Sequence, residues 1–242
     1  MHRFDAYFLY FLSLGILALV FLGVPKLPHH KVLTPRAPLT FQQRVSHKVV
    51  FLDAKGEPEG TCTGTAIGPN ALLTGEHCNS EGNKMVRLDL ATEKHNILDW
   101  EFDGRDHVIY LFDGSPFTNY ETVKVSSEAV LAETITFYGN DEGSYPAIPH
   151  YGKVKDCEDP SDLDADAEQF CFNAPVYPGD SGSAVYNVRG EIVGLITYRH
   201  TAEDGTLSGI GYQLNFSPYV YAYAASFKAE ENSAWQRLRQ HP

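Results

Sequence analysis

One serine of the chain lies in a setting that could make it a nucleophile. Ser181 follows Asp180 and stands between two glycines, in residues 178–183, which read PGDSGS. Glycines allow backbone conformations that other residues avoid, so the serine hydroxyl can be exposed while neighbouring N–H groups converge on one point. That point could hold a developing oxyanion, which is the main electrostatic need of acyl transfer. The structural alternative is an ordinary Gly/Ser/Asp turn between two strands.

A histidine and an aspartate could complete such a site. His77 follows a predicted hairpin. Histidine is the usual general base for a serine nucleophile, because an unperturbed imidazole has a pKa of about 6.5 and can accept a proton at neutral pH. Asp106 precedes the largely apolar run 107–112, where a half-buried carboxylate could hydrogen-bond the imidazole. Asp103 and Asp99 are alternatives for that role, and a turn aspartate is the structural alternative for Asp106.

The cysteines predict disulfide bonds rather than a metal site. There are four of them, and no two have the Cys-x-x-Cys spacing of a metal site: Cys62, Cys78, Cys157 and Cys171. Four cysteines allow three connectivities, among which the spacing alone does not choose. Disulfides form in oxidising compartments, so the domain is expected outside the cytoplasm.

The order of these residues resembles that of the chymotrypsin-like serine peptidases. The resemblance extends over roughly residues 45–225, and its matching segments are LLTGEHC, DHVIYL and GDSGSAV. The longer segment SGSAVYNVRGEIVGLITY is most similar to the bacterial V8-like branch of the family. The resemblance implies an all-β fold of two packed six-stranded antiparallel β-barrels with a C-terminal helix. The recurring short strand-like runs separated by turn residues agree with such a fold.

The resemblance also implies an activity and a role for each site residue. The chain is expected to be a serine endopeptidase with Ser181 as nucleophile, His77 as general base and Asp106 as the residue that orients the imidazole. The backbone N–H groups of Gly179 and Ser181 would form the oxyanion hole. The implied disulfides are Cys62–Cys78 and Cys157–Cys171. The alternative function is that of a catalytically inactive relative that binds a partner or a peptide.

The same resemblance predicts a specificity pocket without charge. Pro175 stands at the pocket floor, where an aspartate would select Arg or Lys. Ile196 and Val176 stand where glutamate-specific relatives carry a histidine and a hydroxyl. An uncharged apolar substrate residue is therefore expected. The remaining predicted wall residues are Thr197, Tyr198, Arg199 and Gly209.

Asp180 is expected to act as a switch. In trypsin-like relatives, the aspartate before the serine pairs with the new N-terminal amine that proteolytic activation creates. No Ile-Val-Gly-Gly segment precedes Cys62 in this chain, so the partner of Asp180 stays open.

The N-terminal region differs in composition from the rest of the chain. Residues 7–24 are apolar and uncharged, and they predict a signal peptide or a membrane anchor. The C-terminal residues 217–240 fit a helix that begins at Ser217, with Pro218 in its first position. The expected divisions are 1–24 as signal or anchor, 25–44 as linker or pro-segment, 45–225 as two barrels divided near 120–130, and 226–242 as a helical tail.

The charge of the chain limits its partners. The net charge of −12 argues against nucleic acid. The resemblance to the serine peptidases implies a protein or peptide substrate as the partner. Acidic residues alternate in the segment 156–168, at positions 162, 164, 166 and 168. A calcium loop of the EF-hand type would need glycine where Ala167 stands, so a solvated loop is the favoured interpretation. No cofactor or metal is expected. The expected location is extracytoplasmic, either secreted or anchored through residues 7–24.

Overall fold

The chain folds into two closed antiparallel β-barrels of six strands each, as the computed structural model of residues 38–126, 129–157, 168–202 and 204–227 describes. This architecture confirms the expected fold. The first barrel contains β1 Ser46–Leu52, β2 Pro58–Gly68, β3 Ala71–Gly75, β4 Met85–Leu88, β5 Lys94–Phe102 and β6 His107–Phe112, in the order β1-β2-β3-β6-β5-β4. The second contains β7 Thr134–Gly139, β8 Ile148–Lys155, β9 Gln169–Phe172, β10 Ala184–Asn187, β11 Ile192–Thr201 and β12 Leu207–Tyr212, in the order β10-β11-β12-β9-β8-β7.

Three apolar clusters stabilise the two barrels. Successive side chains of a strand point to opposite faces, so Leu72 of β3 lies in the core of the first barrel while Leu73 lies in a cluster shared with the second. Tyr186 and Leu195 contribute to this shared cluster from the second barrel. Because both faces of β3, β6 and β10 are covered, these strands are buried along their whole length.

Two short α-helices flank the barrels. The first, α1 (Phe41–Val45), begins after Thr40 in a capping box with Gln43, in a segment for which the sequence predicted a linker or pro-segment. The second, α2 (Pro218–Ser226), begins at the expected N-cap Ser217, and the remainder of the predicted C-terminal helix lies outside the described residues.

Both expected disulfides are present, Cys62–Cys78 in the first barrel and Cys157–Cys171 in the second. They indicate an oxidising, extracytoplasmic environment. Among the described residues no helix has the length and apolar character to span a membrane. The apolar stretch 7–24 and the acidic residues 162, 164 and 166 lie outside the described part of the chain.

Candidate active site

The ends of two neighbouring strands bring His77 and Asp106 together. The end of β3 pairs with the start of β6, so that Gly75 lies opposite His107. His77 stands on the 3-10 turn after β3, and its Nδ1 lies 2.6 Å from Asp106 Oδ2. The other carboxylate oxygen accepts a hydrogen bond of 2.9 Å from the His77 backbone N–H. One carboxylate therefore fixes both the ring and the backbone of the histidine.

The two alternative aspartates have other partners. Asp103 Oδ2 lies 2.6 Å from His107 Nδ1, with both side chains buried, and it accepts a second hydrogen bond from the Asn215 N–H. Burial alone would raise the pKa of Asp103, but the hydrogen bond and the charge of His107 outweigh it and hold this pKa below its usual value. Asp99 accepts a hydrogen bond from the Trp100 backbone N–H. Of the three aspartates considered, Asp106 is the one that contacts His77.

Both barrels hold the loop that carries Ser181. The Thr63 N–H of the first barrel donates to the Ser181 carbonyl at 2.9 Å. In the second barrel, the Gly182 N–H donates to the Ile196 carbonyl at 2.8 Å. A side chain on Gly182 would meet the Thr63 carbonyl at 2.5 Å, so only glycine fits this contact between the barrels. The serine thus lies where the two barrels meet.

The serine loop approaches the histidine without a direct hydrogen bond. A Cβ on Gly182 would also meet the Gly75 backbone nitrogen at 2.7 Å, which places this loop against the strand end that precedes His77. Within the described residues no hydrogen bond joins His77 to Ser181, and His77 Nε2 lies 3.9 Å from Cys78 Sγ. Catalytic hydrogen bonds are often long before substrate binds and tighten in the complex.

The two peptide units that carry the Gly179 and Ser181 N–H groups are held through their carbonyls. The Pro178 carbonyl, in the unit of the Gly179 N–H, accepts a hydrogen bond of 2.6 Å from the Glu142 N–H. The Asp180 carbonyl, in the unit of the Ser181 N–H, accepts one of 3.0 Å from the Ser183 N–H. Neither the Gly179 nor the Ser181 N–H donates to a backbone carbonyl among the residues that the structure describes. An oxyanion hole at the predicted position would need both N–H groups to be available in this way.

Asp180 is completely buried beside two residues that the sequence analysis did not identify. Its Oδ2 accepts a hydrogen bond of 2.8 Å from the Tyr177 N–H. Asp141 lies next to it, and Asp141 Oδ1 is 2.8 Å from His150 Nε2. Burial, reinforced by the charge of Asp141, raises the pKa of Asp180 well above its usual range. No sequence motif indicates this arrangement, because Asp141 and His150 lie 39 and 30 residues upstream of Asp180.

The predicted pocket residues divide into packed and exposed positions. Val176 and Ile196 are almost fully buried, and both belong to the core cluster of the second barrel. Thr197 is also buried, whereas Pro175 is half-buried.

The outer wall residues lie on two paired strands. Arg199 of β11 pairs in register with Gly209 of β12, and Tyr198 pairs with Ile210. Tyr198 and Arg199 are exposed. A Cβ on Gly209 would overlap the Phe172 ring, so this ring occupies the space beside the glycine. The charged Arg199 side chain therefore lies at an open edge of the predicted pocket.

An open cleft of about 550 Å³ borders His77 and Asp106 on the side of the first barrel. Lys84 Nζ lies 3.5 Å from the centre of the Trp100 ring in this cleft. Burial raises the pKa of Tyr110 to about 12, and its hydroxyl accepts a hydrogen bond from the Asn79 side chain. The volume of this cleft is typical of a ligand-binding site. The cleft was not predicted, because its other wall residues come from separate segments: Glu76, Ser80, Gly82, Asn83 and Phe102.

Comparison with known proteins defines the class of this chain. The family model of the trypsin-like peptidase domain matches residues 62–195, which is more than half of the chain. The chain therefore belongs to the trypsin-like peptidase domain family, as the sequence motifs indicated. No curated protein sequence matches the chain.

Solved structures share its fold at low sequence identity. The active form of the Rv3671c protease from M. tuberculosis is 18% identical, with 71% of this chain and 77% of that chain covered and a TM-score of 0.56. The MamO protease domain from Magnetospirillum magneticum is 15% identical, with 72% and 93% covered and a TM-score of 0.55. A Glu endopeptidase is 17% identical, with 76% and 92% covered and a TM-score of 0.53.

Proposed function

We propose that the protein is a serine endopeptidase that cleaves peptide bonds through an acyl-enzyme at Ser181. The observation that carries the proposal is the hydrogen-bonded His77–Asp106 pair, 2.6 Å apart, beside a serine loop held by both barrels. Membership of the trypsin-like peptidase family supports it. A catalytically inactive relative would keep the fold without the need for such a pair.

The proposed reaction begins when Ser181 Oγ attacks the carbonyl carbon of the substrate. His77 Nε2 takes the hydroxyl proton, and the tetrahedral oxyanion is held by the N–H groups of Gly179 and Ser181. Asp106 accepts a hydrogen bond from the protonated Nδ1 of His77. This fixes the ring tautomer in which Nε2 is free to accept the serine proton. His77 then gives its proton to the leaving amine, and the C–N bond breaks to leave the acyl-enzyme. Water, deprotonated by the same histidine, releases the acid product.

Replacement of the serine tests this proposal. Ser181→Ala should reduce casein hydrolysis by about 10⁶-fold and abolish labelling by a fluorophosphonate probe. Ser226→Ala, at the end of α2 and far from the site in sequence, is the matched control and should be labelled like the original protein. Full-length protein that is folded but neither hydrolyses casein nor reacts with the probe would favour the inactive relative.

Replacement of the orienting carboxylate tests the pairing of His77. Asp106→Asn preserves shape but favours the wrong imidazole tautomer, so the turnover rate should fall by about 10⁴-fold. Asp103→Asn is the control because Asp103 contacts His107 instead. An equal loss of turnover in both folded variants would contradict the assignment of Asp106.

For specificity, we propose an uncharged apolar residue before the cleaved bond. The proposal is supported by the packed, uncharged surroundings of Val176 and Ile196. Selectivity among apolar residues should be modest, since one methylene changes pocket affinity by only about 1–3 kcal/mol. A cleavage profile on a peptide library measures it. Strict cleavage after Arg or Lys would be incompatible with this pocket.

We further propose that the protein is exported, with residues 7–24 as a cleaved signal peptide or an anchor. The two disulfides support export. Thiol labelling of native protein before and after reduction tests it, and four free thiols before reduction would contradict it. N-terminal sequencing of active material distinguishes removal of residues 25–44 from activity without processing. Full activity with residues 25–44 still attached would exclude activation through a new N-terminal amine.

A further inference from the structure

Asp141, His150 and Asp180 form a compact group of metal-ligating side chains outside the His77 site. One potential ligand atom from each residue lies within 4.8 Å of the others. His150 Nε2 already lies 2.8 Å from Asp141 Oδ1. The group joins the turn after β7, the strand β8 and the serine loop, which are three separate segments of the chain.

The most buried member of this group has an unused oxygen. Asp180 is 0% exposed, and its Oδ1 has no hydrogen-bond donor among the described residues, whereas Oδ2 accepts from the Tyr177 N–H. A buried carboxylate oxygen without a donor is costly unless a proton or a cation accompanies it. Lys48 is close to this turn, but its ammonium group donates to the Gly143 carbonyl at 2.9 Å. The unused oxygen is therefore left to a proton or to a cation from solution.

We propose that Asp141, His150 and Asp180 bind one zinc ion. Carboxylate oxygen and imidazole nitrogen both bind Zn²⁺, and three protein ligands leave the fourth tetrahedral position to water. Bonds near 2.0–2.1 Å put tetrahedral ligand atoms about 3.3 Å apart, so His150 Nε2 and Asp141 Oδ1 must separate by only about 0.5 Å. No metal was expected from the sequence, and no motif spacing links these three residues.

The site has both an entry path and an ordered ligand. The side chains of His150 and Asp141 are 10% and 19% exposed, so an ion can reach them from solvent. The His150 ring stacks on Phe137, with ring centres 4.7 Å apart and planes inclined by 16°, which fixes its orientation. The ion would approach from the side of Asp141 and complete its coordination with the buried Asp180.

A bound ion would hold the serine loop in place. Asp180 lies between Gly179 and Ser181, while Asp141 precedes Glu142, whose N–H donates to the Pro178 carbonyl. Zinc would thus clamp together the two segments that direct the N–H groups of the predicted oxyanion hole. This catalytic consequence rests on the proposed function, whereas zinc binding itself does not.

The test is calorimetric titration of untagged, chelator-treated full-length protein with zinc chloride. The original protein should bind one zinc ion, and His150→Gln or Asp141→Asn should weaken binding by at least about tenfold. Zinc at a hundredfold excess over Kd should raise the unfolding temperature by about 5–10 °C in the original protein and not in these variants. Both replaced side chains are partly exposed, so the variants are expected to fold.

Two further variants separate this site from other histidines. His47→Gln removes a comparable imidazole, since His47 Nδ1 lies 2.9 Å from Asp89 Oδ2, and it should bind zinc normally. His77→Ala should also bind normally, which excludes the predicted triad as the zinc site. The proposal is overturned if the original protein binds no zinc, or if the His150 and Asp141 variants bind as tightly as it does. Zinc binding without casein hydrolysis would refute the proposed function and leave the zinc site standing.

Discussion

Gly182→Ala should destabilise the protein through both conformation and contact. Gly182 has a φ of +80°, and an L-residue in this left-handed region costs about 1–2 kcal/mol. The added methyl group would also lie 2.5 Å from the Thr63 carbonyl and 2.7 Å from the Gly75 nitrogen, both of which are backbone atoms. Overpacking of this kind costs about 1–3 kcal/mol. The total expected loss in the free energy of unfolding is about 2–5 kcal/mol.

Gly190→Ala is the matched control for this variant. Gly190 has a φ of +73°, but an added Cβ would meet no atom within 4 Å. It should therefore show the conformational cost alone, about 1–2 kcal/mol. In thermal unfolding with both disulfides intact, the extra loss of about 2 kcal/mol in Gly182→Ala corresponds to roughly 4–8 °C. Equal unfolding temperatures for the two variants would refute the claim that the barrels make close backbone contact at Gly182.

Two buried polar pairs give further predictions. Tyr186→Phe removes the hydroxyl that donates to Glu121 at 2.8 Å and should cost about 1–3 kcal/mol in urea unfolding, because Glu121 stays buried without this donor. A urea midpoint for Tyr186→Phe equal to that of the original protein would contradict this prediction. The pKa of Asp103 is lowered by His107, so its stabilising contribution is complete above the unfolded pKa of about 3.9 and disappears as the pH falls through the folded pKa. Asp103→Asn should thus be less stable than the original protein at pH 6 and lose less stability between pH 5 and pH 3, whereas parallel pH curves would contradict this.

Most strands were predictable because they combine apolar runs with clear turn residues. The buried β6 and β10 are of this kind, and their sequences are nearly continuous in apolar residues. The strand β5 (Lys94–Phe102) was not predicted, because charged and apolar residues are mixed along it and only Ile97 and Asp99 are buried. The strand β8 (Ile148–Lys155) is mostly exposed or half-buried and contains proline and glycine, which weaken a strand pattern. Both strands form because a closed barrel satisfies their backbone groups, which no local pattern records.

For the candidate site, the sequence showed the types of the residues and their order along the chain, but not which aspartate contacts the histidine. Ser181 and His77 stand in distinctive segments, whereas the sequence left Asp106 in competition with Asp103 and Asp99. The structure separates them through strand register: the pairing of β3 with β6 places Asp106 at the histidine. Asp103 is drawn instead to His107, four residues along. Register is a property of the closed sheet, so a reading of single segments could not supply it.

The partners of the serine loop were the least predictable part of the site. Glu142 fixes the carbonyl of Pro178, although it belongs to no recognisable motif. Its role comes from a backbone N–H far away in the sequence, which side-chain patterns do not reveal. Because the Pro178 carbonyl and the Gly179 N–H belong to one peptide unit, the direction of this carbonyl decides whether the N–H can face a substrate oxyanion. The turn after β7 therefore influences the predicted chemistry, although it carries none of the predicted catalytic side chains.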